Sequence, residues 1–294
     1  MIARQERTIF LVSNPACVTR MVLNRLMKRA WPLGVALFVA MAAWSTEPAG
    51  RHLELRSRVE LFRGSDRWSA VRVDYPLDPA KSALIVCDMW DKHWCSGANV
   101  RVAALVKKLA PVLETARRNG MIVVHAPSET MSFYANTPQR QRMLSLPAFA
   151  PPKEMNITSP PLPIDDSDGG CDTPGEKEHR AWTCEHPGLK IAPEDYISDN
   201  GQEIYNLLRS RGIETVFYTG VHANMCILNR TFAIKQMTKW GVRCILLRDL
   251  TDAMYGPQDA PHVSHQQGTE LVVEYIEKYW SPTALSDELS RALR

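Results

Sequence analysis

The chain has 294 residues, a formal net charge of +3 and a hydrophobic fraction of 45%. This apolar content is enough for a sizeable core, and the length suggests one large domain with extensions or two small domains. The small net charge, with no long run of basic residues, gives no electrostatic case for nucleic-acid binding.

The first segment of the chain has the pattern of a secretory leader. A basic pair precedes an apolar run at residues 33–43, which contains an Ala-x-Ala cleavage pattern. The run is shorter than the roughly 20 residues of a comfortable membrane span. We expect residues 1–43 to be a signal peptide with its true start at Met27 or Met21, and the mature protein to be exported without a stable membrane span. An uncleaved anchor or a buried helix is the alternative.

The remaining chain divides into an N-terminal extension, residues 44–80, and a main domain, residues 81–294, with an edge strand expected from Arg67 to Tyr75. In the main domain strands are predicted at 82–87, 121–124, 214–219 and 243–247, and helices at 99–118, 199–211, 227–240 and 268–279. Strands alternating with helices predict an α/β three-layer sandwich, with a mostly parallel central sheet and helices on both faces.

Two reactive side chains follow predicted strands. Asp88 comes after the strand at 82–87, and Cys226 comes after the strand at 214–219, near the start of a predicted helix. The carboxyl edge of an open α/β sheet is where ligands bind. A helix N-terminus lowers a thiol pKa, and its N–H groups can hold an oxyanion. Cys226 is therefore a candidate nucleophile and Asp88 a candidate base, although a buried small hydrophobe and a helix cap are the structural alternatives.

Two motifs carry a resemblance to a known family. Ala83–Met89 reads ALIVCDM, and Gly220–Cys226 reads GVHANMC. Both resemble the isochorismatase-like cysteine hydrolases, a superfamily of nicotinamidases, N-carbamoylsarcosine amidases, ureidoacrylate hydrolases and isochorismatases. The similarity covers about residues 80–280 and leaves the substrate open.

The resemblance implies a set of site residues. Members of the superfamily use Asp, Lys and Cys, which correspond here to Asp88, Lys190 and Cys226. Lys92 is the rival for the lysine, because the segment after Lys190 departs from the family pattern. The resemblance also implies an oxyanion hole of backbone N–H groups at His222 and Cys226, and a peptide bond before His222 that is often cis.

Aromatic residues beside the first strand suggest a substrate wall. Trp90, His93 and Trp94 could stack on a planar amide or ring, or they could only pack the edge of the core. His125, at the end of the next strand, is also predicted to bind substrate. Nicotinamidases of the superfamily bind a metal through an Asp-x-His pair, which is missing after the second strand here, so we expect neither a metal nor another cofactor.

A long irregular stretch, residues 127–198, is polar and rich in proline. Loops of this length are usually functional, and we expect it to lie over the carboxyl edge and close the pocket. In an exported protein a Cys171–Cys184 disulfide is expected within it. Two free thiols, or half of a metal site with His179 and His186, are the alternatives.

These features predict an exported cysteine hydrolase that cleaves a small carbon–nitrogen bond, whether amide, carbamoyl or ureido, through an acyl-enzyme. Its partner is a small-molecule substrate, and a homo-oligomer is expected. An isochorismatase-type hydrolase is one alternative, although true isochorismatases of the family lack the nucleophilic cysteine. A non-catalytic envelope module for binding or thiol chemistry is the other, although no Cys-x-x-Cys motif supports redox work.

Overall fold

The computed structural model describes residues 51–294, so the predicted leader and its possible starts lie outside the described residues. The strands are β1 (His52–Glu60), β2 (Trp68–Pro76), β3 (Ser82–Cys87), β4 (Ile122–Ala126), β5 (Tyr196–Ile197), β6 (Thr215–Val221), β7 (Arg243–Asp252) and β8 (Thr283–Ala284). The helices are α1 (Ser96–Arg118), α2 (Met131–Tyr134), α3 (Pro138–Leu144), α4 (Gly201–Ser210), α5 (Cys226–Asn229), α6 (Ile234–Lys239), α7 (His265–Tyr279) and α8 (Ser286–Ala292).

The eight strands form one sheet in the order β2-β1-β8-β7-β6-β3-β4-β5. Strands β3 to β8 pair in parallel, and β1 and β2 add an antiparallel hairpin at one edge. The predicted α/β class with a mostly parallel sheet is therefore confirmed. The edge strand expected from Arg67 to Tyr75 is β2, so the predicted extension supplies two strands of the same sheet.

Helices cover both faces of the sheet, because side chains of the central strands alternate between two apolar cores. Ala83 and Ile85 of β3 join the core beneath α4, α6 and α7. Leu84 and Val86 join the core beneath α1 and α8. Because β3 is buried on both faces, its carboxyl end delivers Asp88 to the interior of the carboxyl edge.

The helix predicted over residues 227–240 is broken. It forms α5 and α6, and the chain between them is extended at Arg230, with φ −61° and ψ 157°. The buried hydroxyl of Tyr218 donates a 2.7 Å hydrogen bond to the carbonyl of Phe232, one of the backbone groups in the break. The break places the Arg230 side chain beside the end of β3 instead of on an exposed helix face.

The end of β6 approaches β3 very closely. Gly220 has φ +110°, and a Cβ atom there would lie 2.0 Å from the carbonyl oxygen of Cys87. Only glycine fits that conformation and spacing. The approach brings the segment that ends in Cys226 against Asp88. Within residues 51–294, no helix combines the length and the apolar character needed to cross a membrane.

Candidate active site

Asp88 lies at the base of the site, directly after β3. It is fully buried and has a left-handed φ of 48°. Its Oδ1 accepts a 2.7 Å hydrogen bond from the Ser128 N–H, and its Oδ2 accepts one of 3.0 Å from Nε of Arg230. Burial raises the pKa of Asp88, whereas the Arg230 charge and hydrogen bonds from Cys226 and Ser128 oppose that rise. The carboxylate is thus held in a fixed orientation against the thiol.

Cys226 is the first residue of α5, and it lies close enough to Asp88 for each group to shift the pKa of the other. Burial raises the pKa of the Cys226 thiol well above its usual value, and the Asp88 charge raises it further, whereas Arg230 lowers it. The expected lowering by a helix N-terminus does not prevail, because α5 has only four residues and a short helix has a weak dipole. The resting sulfur is therefore a thiol with a proton acceptor beside it.

The cation beside Asp88 is Arg230, which the sequence analysis missed. Lys190 is exposed, and its backbone carbonyl accepts a 2.8 Å hydrogen bond from Arg117. Lys92 is exposed as well, and among residues 51–294 only Arg230 forms an ion pair with Asp88. The structure therefore corrects the assignment of Lys190 as the catalytic cation.

A sequence signal for this cation existed. Arg230 follows Cys226 by four residues, the spacing that places two side chains on one side of a helix. The extended backbone at Arg230 then turns the guanidinium inward, where NH1 also lies 3.1 Å from Oε1 of Glu129.

The backbone before Cys226 has the expected form. The Val221–His222 peptide is cis, as the resemblance implied. The His222 N–H lowers the pKa of the Cys226 thiol, and within the described residues no oxygen accepts a hydrogen bond from the N–H of His222 or of Cys226. Both amides are therefore available as donors beside the sulfur.

An aromatic wall stands over the thiol. The rings of Trp90 and Trp182 stack with centroids 4.2 Å apart and an angle of 11° between their planes. His93 stacks on the two indoles at 6.1 and 5.9 Å. Burial lowers the pKa of His93 to about 4, so its ring is neutral at pH 7. Trp182 comes from the long loop, and no feature of the sequence alone indicated that it would join Trp90.

His125 lies outside this wall, contrary to the prediction that it binds substrate. It is fully buried, with Nδ1 2.7 Å from Oε2 of Glu185 and Nε2 3.0 Å from Oδ2 of Asp195. Arg117 pairs with the same Asp195 at 2.7 Å. Burial disfavours the charged form of His125, but the carboxylates of Glu185 and Asp195 outweigh this effect and raise the pKa of His125 to about 9. His125 is a buried imidazolium that ties β4 to the long loop.

The long loop is joined to α1 by a disulfide that differs from the predicted one. Cys171 is bonded to Cys95, with Cα atoms 5.8 Å apart and a sequence separation of 76. Cys184 is a free thiol. Its backbone carbonyl accepts a 2.9 Å hydrogen bond from the N–H of Asp91, which holds Cys184 beside the segment that follows β3. The predicted Cys171–Cys184 pairing is therefore wrong, because sequence proximity did not indicate where the loop crosses α1.

One group among the described residues has the spacing of metal ligands, formed by Cys95, Cys171 and Glu176. Its two sulfurs are bonded to each other. Thiolates, not disulfide sulfurs, are the cysteine ligands of metals, so this group does not fit a metal in the oxidised protein.

The residues above enclose a cavity of about 550 Å³. Cys226 and Arg230 line it, together with the aromatic wall. The long loop was predicted to close the pocket, and part of it does so, because residues between Gly169 and Trp182 form one side of the cavity. The complete lining comprises Trp90, His93, Trp94, Glu129, Gly169, Glu178, His179, Arg180, Trp182, His222, Met225, Cys226, Arg230 and Met254.

No protein-family model matches the chain, and no curated protein matches it. Solved structures do match. A cysteine hydrolase from Pseudomonas syringae pv. phaseolicola 1448A has 18% identity and a TM-score of 0.49, over 74% of this chain and 95% of that one. An isochorismatase-like hydrolase from Alkaliphilus metalliredigens has 16% identity and a TM-score of 0.45, over 75% and 100%. An N-carbamoylsarcosine amidase from Thermoplasma acidophilum has 16% identity and a TM-score of 0.39, over 70% and 97%. Matches with such low identities and TM-scores do not show which reaction this chain performs, so its chemistry has to be inferred from the side chains of the site.

Proposed function

We propose that this protein is an isochorismatase-like cysteine hydrolase that cleaves a carbon–nitrogen bond in a small amide, carbamoyl or ureido compound. One observation carries the proposal. Cys226 lies close enough to the buried Asp88 carboxylate for each group to shift the pKa of the other, Asp88 is ion-paired with Arg230, and Cys226 opens onto the cavity. A nucleophile, its base and a fixed cation therefore meet at one place.

The first step is attack on the substrate carbonyl. Because the Cys226 pKa is raised, the sulfur becomes nucleophilic as its proton passes to Asp88. Burial also raises the pKa of Asp88. The pKa of the proton acceptor is therefore closer to that of the thiol, which makes the proton transfer less unfavourable. Arg230 stays charged throughout and holds the carboxylate in place.

The second step is collapse of the tetrahedral intermediate. The N–H groups of His222 and Cys226 can donate to its oxyanion, which they would stabilise most in the transition state. Protonated Asp88 returns its proton to the leaving amine, and an acyl-enzyme remains on Cys226. Asp88 then accepts a proton from water, and the resulting hydroxide attacks the acyl carbon and expels the Cys226 thiolate, which takes the proton back from Asp88 to regenerate the thiol.

The cavity favours small, planar substrates. Its volume of about 550 Å³ is in the range of small-molecule sites. The stacked indoles present a flat face on which an amide or ring can lie. The Nε2 atom of His222 is buried and has no hydrogen-bond partner among residues 51–294, so a polar substrate atom could satisfy it. Burial lowers the pKa of His222 to about 3, so its ring is neutral.

The proposal places the enzyme outside the cytoplasm. Its support is the leader pattern of residues 1–43 and the Cys95–Cys171 bond, since disulfides persist in oxidising compartments. Mass spectrometry of the native protein would test this, and an intact segment at residues 30–43 in a cytosolic fraction would refute export.

Activity is tested by ammonia release from nicotinamide, N-carbamoyl amino acids, biuret and ureido acids. The Cys226→Ala and Asp88→Asn variants should lose hydrolysis, because the first removes the sulfur and the second cannot accept its proton. Cys184→Ala is the matched control, since Cys184 is also a partly exposed free thiol. Turnover by Cys226→Ala comparable to that of the control would refute the mechanism.

A further inference from the structure

Strand β2 is an exposed edge of the sheet with nine residues. Long edge strands present unpaired backbone groups and are usually blunted or covered. Val73, near its centre, is 51% exposed. On the same side of the strand lie Val71 and Tyr75, so the edge has an apolar stripe as well as backbone groups.

The hydrogen-bond register shows which backbone groups point outward. The Leu77 N–H donates to the carbonyl of Arg51 at 2.7 Å, and the Leu61 N–H donates to that of Arg67 at 2.8 Å. Because these bonds alternate along an antiparallel pair, the odd-numbered residues of β2 bond to β1. The backbone groups of Arg72 and the other even-numbered residues therefore face away from the sheet.

We propose that β2 pairs with β2 of a second copy of this chain, around a two-fold axis at Val73. In this antiparallel register Arg72 lies opposite Asp74 of the second copy, and the reverse pair forms across the axis. Val73 meets its own equivalent, and Val71 lies opposite Tyr75. The result is one continuous sheet of sixteen strands, because each copy contributes eight.

Charge selects this register over its neighbours. Shifting the axis to position 72 would place Arg72 against its own equivalent, and shifting it to position 74 would do the same for Asp74. Like charges directly opposite on adjacent strands are destabilising. The axis at Val73 is the register that places opposite charges against each other at both positions.

The outward groups also fit. In the proposed register Arg72 and Asp74 exchange both backbone hydrogen bonds with their partners. Ala70 lies opposite Pro76 of the second copy. The Pro76 carbonyl accepts a hydrogen bond from the Ala70 N–H, but Pro76 has no N–H to donate to the Ala70 carbonyl. Pro76 thus sits at the end of the ladder, where its missing donor ends the pairing.

Charge reversal and exchange test the contact in the full-length chain by sedimentation velocity. Arg72→Asp or Asp74→Arg alone should raise the dimer dissociation constant at least about tenfold. The double exchange Arg72→Asp/Asp74→Arg should return it to within about threefold of the original value, because it restores opposite charges across the axis.

Mixing the two single variants separates contact between copies from changes within one copy. Within one chain Arg72 is paired with Glu54 at 2.9 Å and Asp74 with His52 at 2.6 Å, and β1 places Glu54 directly opposite Asp74 and Arg56 directly opposite Arg72. The double exchange therefore also creates opposite charges within one chain. A mixture of Arg72→Asp with Asp74→Arg restores opposite charges across the axis without combining the changes in one chain, so dimerisation of the mixture supports pairing between two copies and its absence would count against it.

A cross-linking experiment fixes the register independently. Directly opposite residues in a non-hydrogen-bonded pair have Cα atoms about 4.5 Å apart, within reach of a disulfide. Val73→Cys should cross-link two chains under mild oxidation, whereas Val71→Cys should not, because its own equivalent lies about 13 Å away along the strand.

Peptide mapping would identify the linked residue. A monomer at all concentrations would overturn the proposal, as would a dimer insensitive to the single reversals or equal cross-linking of Val71→Cys. A monomer whose edge is covered by residues 1–50 of its own chain would give the first of these results.

Discussion

Replacing Arg230 with alanine should move the reactivity of Cys226 to higher pH. The guanidinium Nε lies 3.0 Å from the Asp88 carboxylate, and its charge lowers the pKa of both Asp88 and Cys226. An opposite charge at such a distance lowers a carboxyl pKa by about 1–3 units. Since the Asp88 side chain is fully buried, water cannot replace the lost charge. We expect an upward shift of about 1–3 units, or roughly 1.4–4 kcal/mol.

The sign follows from which form each group prefers beside a cation. Arg230 stabilises both the carboxylate and the thiolate, so its removal leaves less of each at a given pH. Each group shifts the pKa of the other, so the measured values belong to the Asp88–Cys226 pair and not to either residue alone.

The assay is the rate of iodoacetamide alkylation at Cys226 between pH 6 and 10, followed by peptide mass spectrometry. Arg230→Lys should retain part of the effect because it keeps the charge, although it loses the guanidinium geometry. Arg180→Ala is the matched control, since Arg180 lines the same cavity but forms no ion pair with Asp88. An Arg230→Ala profile that superimposes on that of the unmodified protein would refute the electrostatic role.

Three further predictions concern the wall, the buried imidazolium and the disulfide. Trp182→Ala removes one face of the stacked indoles and should raise KM for planar substrates about two- to tenfold, with little change in kcat; an unchanged KM would contradict the stacking role. His125 has a folded pKa of about 9 against an ordinary 6.5, so its stabilisation is complete below pH 6.5 and is lost as the pH rises through 9. Urea unfolding should show a loss on the order of 3 kcal/mol across that window, absent in His125→Gln. Cys95→Ser should cost about 4 kcal/mol of unfolding free energy in the chain-entropy account, whereas Cys184→Ser should cost little; equal urea midpoints would argue against the Cys95–Cys171 bond.

The sequence predicted the sheet well because the core strands are apolar runs. β3 begins and ends at the predicted residues, and the ends of β4 and β6 differ from prediction by one or two residues. Such runs are local signals, since a strand buried on both faces needs apolar side chains throughout. Asp88 follows β3 directly and Cys226 follows the end of β6 by five residues, so their meeting at the carboxyl edge could be inferred without knowledge of the long loop.

What the sequence did not predict depends on contacts distant in the chain. The Cys95–Cys171 bond joins residues 76 apart, and nothing local distinguishes Cys171 from Cys184 as the partner. His125 looked like a site residue because it ends a strand, but its carboxylate partners lie 60 and 70 residues further on. Lys190 was assigned by resemblance to the family. The resemblance could not show that Arg230 forms the ion pair with the Asp88 carboxylate.

The break at Arg230 has a consequence for how this protein can diverge. The proposed nucleophile and its counter-charge lie on one five-residue stretch, Cys226 to Arg230, packed against the end of β3. The opposite side of the cavity comes from irregular parts of the segment at residues 127–198, outside α2, α3 and β5. Surface loops tolerate substitution and insertion far better than buried strands do. Substrate preference can therefore drift through changes in the loop while the bond-breaking groups are inherited unchanged.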